Sequence, residues 1–226
     1  MLVLRPEPGA SATLRRAREL GLDAISVPLF EVEPVAWTAP DPTPFDALLL
    51  TSANAIRHGG SQLDQLRWLK VYAVGEATAE AAQQLGFDVA VRGKSGVGGL
   101  LASIEADLKL LHLCGADRRE PEEPRQEITR VVVYRSREIG SPHLANADGS
   151  IALIHSPRAG RRFAELVSER SGITIAAISA AAGESVGSGW QAVSIAAQPS
   201  DDALTSRIRA EVRKLCAQFP VPGIPS

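Results

Sequence analysis

A chain of 226 residues, 45% hydrophobic and 22% charged, has the balance of a soluble globular protein, and its length fits one large domain or two small ones. A net charge of −2 gives no electrostatic footprint for nucleic acid, and 4% aromatic residues leave no stacking platform for bases. No apolar run approaches the ~18 residues of a membrane span, and Leu2-Val3-Leu4 alone before Arg5 is too short for a signal-peptide core, so a cytoplasmic protein without membrane contact is expected.

The strand LVL (2–4) leads through the turn RPEPGAS into a helix, SATLRRARELG, closed by Gly21. DAISV (23–27) follows, and then the proline-marked stretches Pro28–Pro34 and WTAPDPTPF (37–45) separate this head from the rest. ALLL (47–50), VYAV (71–74), VAV (89–91), LLHL (110–113) and VVVY (131–134) come next, with the helix EATAEAAQQLG among them. The tail holds IALI (151–154), TIAAI (174–178) and AVSIA (192–196), with helices RAGRRFAELVSERSG and DDALTSRIRAEVRKLCAQ. Apolar spacing of three and four, and closing glycines at 21, 86 and 172, mark the helices. Strand–helix alternation at this density predicts an α/β protein of parallel sheets covered by helices on both faces.

The chain also repeats itself. Ser52 ends one strand and Gly75 the next, 23 positions on; Ser156 and Ser179 end the matching pair, again 23 apart. A third short strand and a serine-led helix follow each pair, at Ser95 and Ser200. Such duplication predicts two similar lobes. The middle of the chain carries five strands, whereas the tail after residue 138 has three and the head two, so head and tail together make the second set. The expected domains are therefore a discontinuous outer lobe, 1–31 plus 138–226, and an inserted lobe, 32–137. Two strand-like linkers, near 30–36 and 136–142, would join them around a cleft able to open and close.

Ligands of parallel sheets sit beyond the carboxyl ends of the strands. Here those turns are RPEPGAS, TSAN, GEAT, CGADRR, HSPRAG and SAAAGES. They offer Arg5, Thr51, Ser52, Asn54, Gly75, Thr78, Gly115, Ser156 and Arg158: hydroxyls, small residues, free amides and arginines. Each helix N-terminus favours an anion by roughly 0.3–1 kcal/mol, so six such turns offer about 2–6 kcal/mol to a multiply charged guest. Thr51, Ser52, Ser156 and Ser179 also qualify as plain helix caps, Thr78 as a cap or a ligand donor, and Gly75 as a tight-turn residue. What is missing narrows the chemistry. There is no GxxxxGK[ST], no GxGxxG after the first strand and no GxSxG elbow. Four scattered histidines and two unrelated cysteines, Cys114 and Cys216, give no metal spacing and no disulfide framework. Tyr134, ending VVVY ahead of Arg135-Ser136-Arg137, is the one proton donor in an odd place, with hinge packing as its other reading; a phenol stays protonated at neutral pH and can hydrogen-bond a leaving oxygen.

LVLRPEP, LLLTSANAI, VYAVGEATAEAAQQLGF, LLHLCGADRRE, VVVYRS and IALIHSPRAGRRF, in that order and spacing, together resemble uroporphyrinogen-III synthase. The resemblance runs nearly end to end. It implies two flavodoxin-like lobes, one inserted in the other and joined by two strands. It also implies a lyase without metal or coenzyme that takes the linear tetrapyrrole hydroxymethylbilane. Such an enzyme expels the hydroxyl as water, inverts the last ring through a spiro intermediate and closes uroporphyrinogen III. Positioning alone can supply up to roughly 7–11 kcal/mol of such a barrier. By this resemblance Tyr134 assists hydroxide departure, while Arg5, Thr51, Ser52, Thr78 and Ser156 meet the eight substrate carboxylates. Two departures stand out: Ala180, Ala181 and Ala182 replace a usual threonine turn, and REPEEPRQEITR (119–130) is proline-broken where the family has a full helix. The alternatives are a catalytically silent two-lobed protein binding a polyanion or tetrapyrrole, and a flavodoxin-like flavin or nucleotide module. A monomer is the default, since no oligomer surface is marked.

Overall fold

The structure, a computed structural model, describes residues 1–94, 96–117, 124–145 and 147–218, with residues 210–218 as backbone alone. In chain order the elements are β1 (Leu2–Val3), α1 (Gly9–Glu19), β2 (Ile25–Ser26), β3 (Phe30–Pro34), β4 (Ala47–Leu50) and α2 (Asn54–His58). A 3-10 helix (Gly60–Leu66) precedes β5 (Lys70–Val74), α3 (Glu76–Gln84), β6 (Val89–Gly93), α4 (Gly96–Ala102), β7 (Lys109–Gly115) and β8 (Glu127–Glu138). The chain ends with β9 (Ile151–Ile154), α5 (Pro157–Leu166), β10 (Thr174–Ala177), α6 (Ala180–Glu184), β11 (Ala192–Ile195) and α7 (Asp201–Gln218).

Two compact units result, one made of Met1–Glu31 with Glu138–Ser226, the other of Val32–Arg137. The first holds a five-stranded sheet in the order β11-β10-β9-β1-β2, the second a six-stranded sheet in the order β3-β8-β7-β4-β5-β6. Counted from its first strand, the discontinuous unit has the flavodoxin order 2-1-3-4-5. The continuous unit repeats that order as β8-β7-β4-β5-β6, but its β7 and β8 come last in the chain whereas β1 and β2 come first. The two sheets are circular permutations of one arrangement. The serine-and-glycine repeat in the sequence marks its shared half, β4–β6 against β9–β11.

Both faces of the inner strands are covered, so β4, β7, β9 and β10 read as continuous apolar runs rather than alternating ones, whereas the edge strands β2 and β11 are largely exposed. Leu2, Leu4, Ile154 and Ile175 point to Phe163, Val186 and Trp190 from α5 and the segment around α6. Their neighbours Val3, Leu153 and Ala176 point the other way, to Ala10, Leu204 and Ile208 of α1 and α7. In the second unit Leu48 and Leu50 pack with Ala55 and Ile56 of α2, and Leu49 packs with Leu100 and Leu101 of α4. Full burial of each such leucine contributes about 1.5–3 kcal/mol.

Three features depart from the sequence reading. The stretch Phe30–Pro34 joins the sheet as an edge strand, giving the middle unit six strands rather than five. The strand expected at 131–134 extends over Glu127–Glu138; β7 supplies a parallel partner from Glu127 to Tyr134, and β3 flanks the other edge of the strand. The helix after Ser156 stops at Leu166, not at Gly172, with Val167 already extended as its C-cap. Gly21 and Gly86 do follow their helices with φ of 70° and 86°, the left-handed turn glycine takes without strain. Ser95 and residues 119–123 of the proline-broken 119–130 segment lie outside the described residues.

Candidate functional site

In sheets of this order ligands bind outside the carboxyl ends of the strands, where the order reverses. That point lies between β7 and β4 in the continuous unit and between β1 and β9 in the other.

In the continuous unit the turn after β4 starts at Thr51. Its hydroxyl lies 3.0 Å from Nε2 of His112, a buried residue of β7. Ser52 Oγ accepts the amide of Asn54 at 3.2 Å, and Asn54 Oδ1 accepts from Arg57 at 3.3 Å. Neither hydroxyl caps α2; its N-cap is Ala53, without a side-chain hydrogen bond. After β5, Gly75 adopts φ 84°, a conformation that a side chain would strain. Its amide is satisfied by Gly93 O at 2.8 Å. Thr78 lies in the first turn of α3, only 5% exposed, and supplies no cap to that helix.

Tyr134 is placed by an irregularity. Cys114 pairs with Val132 but Gly115 pairs with Tyr134, so Val133 is left over as a bulge in β8. The bulge re-aims the tyrosine onto the end of β7, where a Cβ on Gly115 would stand 2.6 Å from its ring. Gly115 is therefore the bare backbone against which the phenol lies. On the neighbouring helix the ring of His58 is 6.2 Å away, tilted by 36°. Burial, then the charge of Arg57, pushes the His58 imidazole below its ordinary value.

In the discontinuous unit Arg5 follows β1 and His155 follows β9. Arg5 donates through Nη1 to both carboxylate oxygens of Asp201, at 3.1 and 2.9 Å. Thr13 donates to the same carboxylate at 3.0 Å, and His155 Nε2 lies 2.9 Å from it. Burial pushes the Asp201 carboxyl up, but the His155 hydrogen bond, the charges of Arg5 and His155 and the Thr13 hydroxyl outweigh it, and the carboxyl titrates below the usual range. Gly9 leaves room for the guanidinium, since a Cβ there would meet Arg5 Nε at 2.3 Å. Ser156 caps α5, accepting the amide of Ala159 at 3.1 Å, and Ser179 caps α6 in the same way at 3.3 Å. Arg158 lies over the Phe30 ring, 4.5 Å from its centroid, with Glu138 at 3.9 Å.

The structure thus gathers Thr51, Ser52, Asn54, Gly115 and Tyr134 around the end of the β7–β4 pair, and Arg5 and Ser156 around the end of the β1–β9 pair. Gly75 and Thr78 follow the adjacent strand β5. Sequence reasoning missed His112, His58, His155 and Asp201. One signal was there: His155 precedes Ser156 as Thr51 precedes Ser52, at equivalent strand ends. Among the described residues no cluster of three or more His, Cys, Asp or Glu side chains is placed to hold a metal ion, and no helix is long and apolar enough to cross a membrane. Several of the polar groups at the strand ends are engaged within the chain, Thr51 with His112, Ser52 with the Asn54 amide, Arg5 with Asp201 and Ser156 with the Ala159 amide.

Residues 11–206 match the sequence pattern of the family described as uroporphyrinogen-III synthase HemD. The chain belongs to the uroporphyrinogen-III synthase family. A stretch of 98 residues, 39% of this chain, is 30% identical to the uroporphyrinogen-III synthase of Chlorobaculum parvum and spans 40% of that relative's length. Among solved structures the fold is similar to that of uroporphyrinogen-III synthetase from Helicobacter pylori 26695. The TM-score is 0.65 at 22% identity, over 84% of this chain and 93% of that one. The mixed α/β architecture with parallel sheets accords with that of this neighbour. A uroporphyrinogen-III synthase from Thermus thermophilus aligns over 95% of this chain and 100% of its own, at 14% identity and a TM-score of 0.49.

Proposed function

We propose that the protein is a uroporphyrinogen-III synthase. It acts on hydroxymethylbilane, a linear tetrapyrrole with eight carboxylates, releases water, inverts ring D and closes the macrocycle. The observation that carries this is the family match across 11–206, which includes both copies of the repeat and all but one of the turn residues, Arg5, at the strand ends. The hydroxyls, amides and arginines of those turns suit a polycarboxylate, and the position of Tyr134 suits hydrogen bonding to the departing hydroxyl. Binding in the reactive geometry is the main contribution asked of the protein, which fits a set of side chains with no strong base among them. We further propose that it works as a cofactor-independent lyase, as a cytoplasmic monomer with no nucleic-acid or membrane partner, and that the residues 32–137 form a lobe inserted into the outer one. The Ala180–Ala182 run, which prompted the alternative of a silent binding protein, opens a helix that keeps its Ser179 cap, the serine accepting the Ala182 amide. Expression in a bacterium lacking its own uroporphyrinogen-III synthase tests the reading: restored haem synthesis is expected, and haem auxotrophy despite abundant soluble protein would overturn it.

A further inference from the structure

Three observations converge on the phenol of Tyr134. A bulge at Val133 turns it onto the end of β7, Gly115 is side-chain-free where the ring lies, and His58 brings a second ring beside it. Bulges and bare glycines that accommodate one particular side chain are devices for aiming it. His58 sits at the last position of α2, the helix that the Thr51–Asn54 turn introduces, so the same turn fixes both the candidate anion contacts and this ring.

We propose that His58 is a positioning residue for Tyr134, its uncharged ring holding the phenol in place beside Gly115, and that turnover falls when His58 takes up a proton. This deepens the proposed function and rests on its reading of Tyr134 as the hydrogen-bond donor to the leaving hydroxyl.

The physical reason is electrostatic. A neutral imidazole packs against a phenol as an aromatic pair, worth about 0.5–1.5 kcal/mol beyond its buried area. An imidazolium beside a guest with many carboxylates is drawn to those carboxylates instead, and the tyrosine loses its neighbour. Burial, then the charge of Arg57, disfavours the charged form of His58. Other titratable groups on the elements packed against α2 are engaged or exposed. Asp64 of the 3-10 helix pairs with Arg67, Glu76 of α3 with Arg92, and His112 of β7 with Thr51, while Glu80 of α3 points to solvent. From β8 the facing group is Tyr134 itself.

The test uses the full chain and two readouts. In steady-state assays between pH 5 and 8, wild-type kcat is expected to fall on the acid side while KM does not rise. His58→Phe keeps a ring but cannot titrate: its kcat profile should lose the acid limb. His58→Ala should lower kcat about tenfold to a hundredfold at every pH, the cost of a misplaced group. In the free protein, the ring signals of Tyr134, one of two tyrosines, should shift with the His58 titration in NMR spectra and stop shifting in His58→Phe. An acid limb that persists in His58→Phe, or Tyr134 signals unmoved between pH 5 and 8, overturns the inference. Coupled NMR titration in a protein that makes no uroporphyrinogen III would instead sink the proposed function and leave the His58–Tyr134 contact standing.

Discussion

Replacing Asp201 with asparagine probes how the discontinuous unit is tied together. The carboxylate joins the first residue of α7 to Arg5 after β1, Thr13 in α1 and His155 after β9, four points spread from residue 5 to residue 201. Asparagine keeps the shape but removes the charge from two charge-assisted contacts, each worth about 1.5–3 kcal/mol when desolvated. Arg5 is 33% and Asp201 24% exposed, so solvent screening takes a share, and a net loss of about 2 kcal/mol is expected. For the 226-residue chain melting in one transition that lowers the melting temperature by about 4–8 °C. The pH dependence gives a second handle. The native carboxyl titrates below its usual value near 3.9, so its stabilisation is fully present above that value and disappears as pH falls through the lower native one. Melting by circular dichroism at several pH values should therefore show a wild-type advantage that is present above about pH 4 and shrinks below it. An Asp201→Asn protein that melts with or above wild type at pH 7 would refute the reasoning, since burying the carboxylate would then cost as much as its contacts return.

Gly115→Ala puts a methyl 2.6 Å from the Tyr134 ring, so the ring must move; turnover should drop at least about tenfold, with about 1–3 kcal/mol lost in urea unfolding. Tyr134→Phe keeps the packing and loses the hydroxyl: kcat should fall while the melting temperature stays within a degree or two, and unchanged kcat would reduce Tyr134 to packing. Ser156→Ala removes the α5 cap, costing about 1 kcal/mol of stability, and should also weaken product binding in calorimetry. Thr51→Val removes the hydroxyl that lies 3.0 Å from the buried His112, an expected loss of about 0.5–1.5 kcal/mol visible in the same unfolding assay.

The layered architecture was legible because period and punctuation are local. Leu48-Leu49-Leu50 reads as a doubly buried strand on its own letters, and Gly75 as a turn because of where it falls. The 23-residue spacing carried the duplication, since equal strand–helix–strand units put their end residues at equal intervals. What stayed hidden depends on partners far along the chain. Glu127–Arg130 looks like the remnant of a broken helix until β7 lies beside it. Asp201 looks like an ordinary first-turn carboxylate until Arg5, 196 positions earlier, reaches it. The hydroxyls divide in the same way: Ser156 and Ser179 cap their helices as local rules allow, whereas Thr51 turns from its helix to His112, a choice set by the neighbouring strand.

The account is tested most directly by supplying purified protein with freshly made hydroxymethylbilane and separating the isomers by chromatography. Uroporphyrinogen III formed well above the spontaneous rate is the predicted result, because ring inversion requires the substrate to be held in one geometry. Uroporphyrinogen I alone, appearing no faster than without protein, would contradict it.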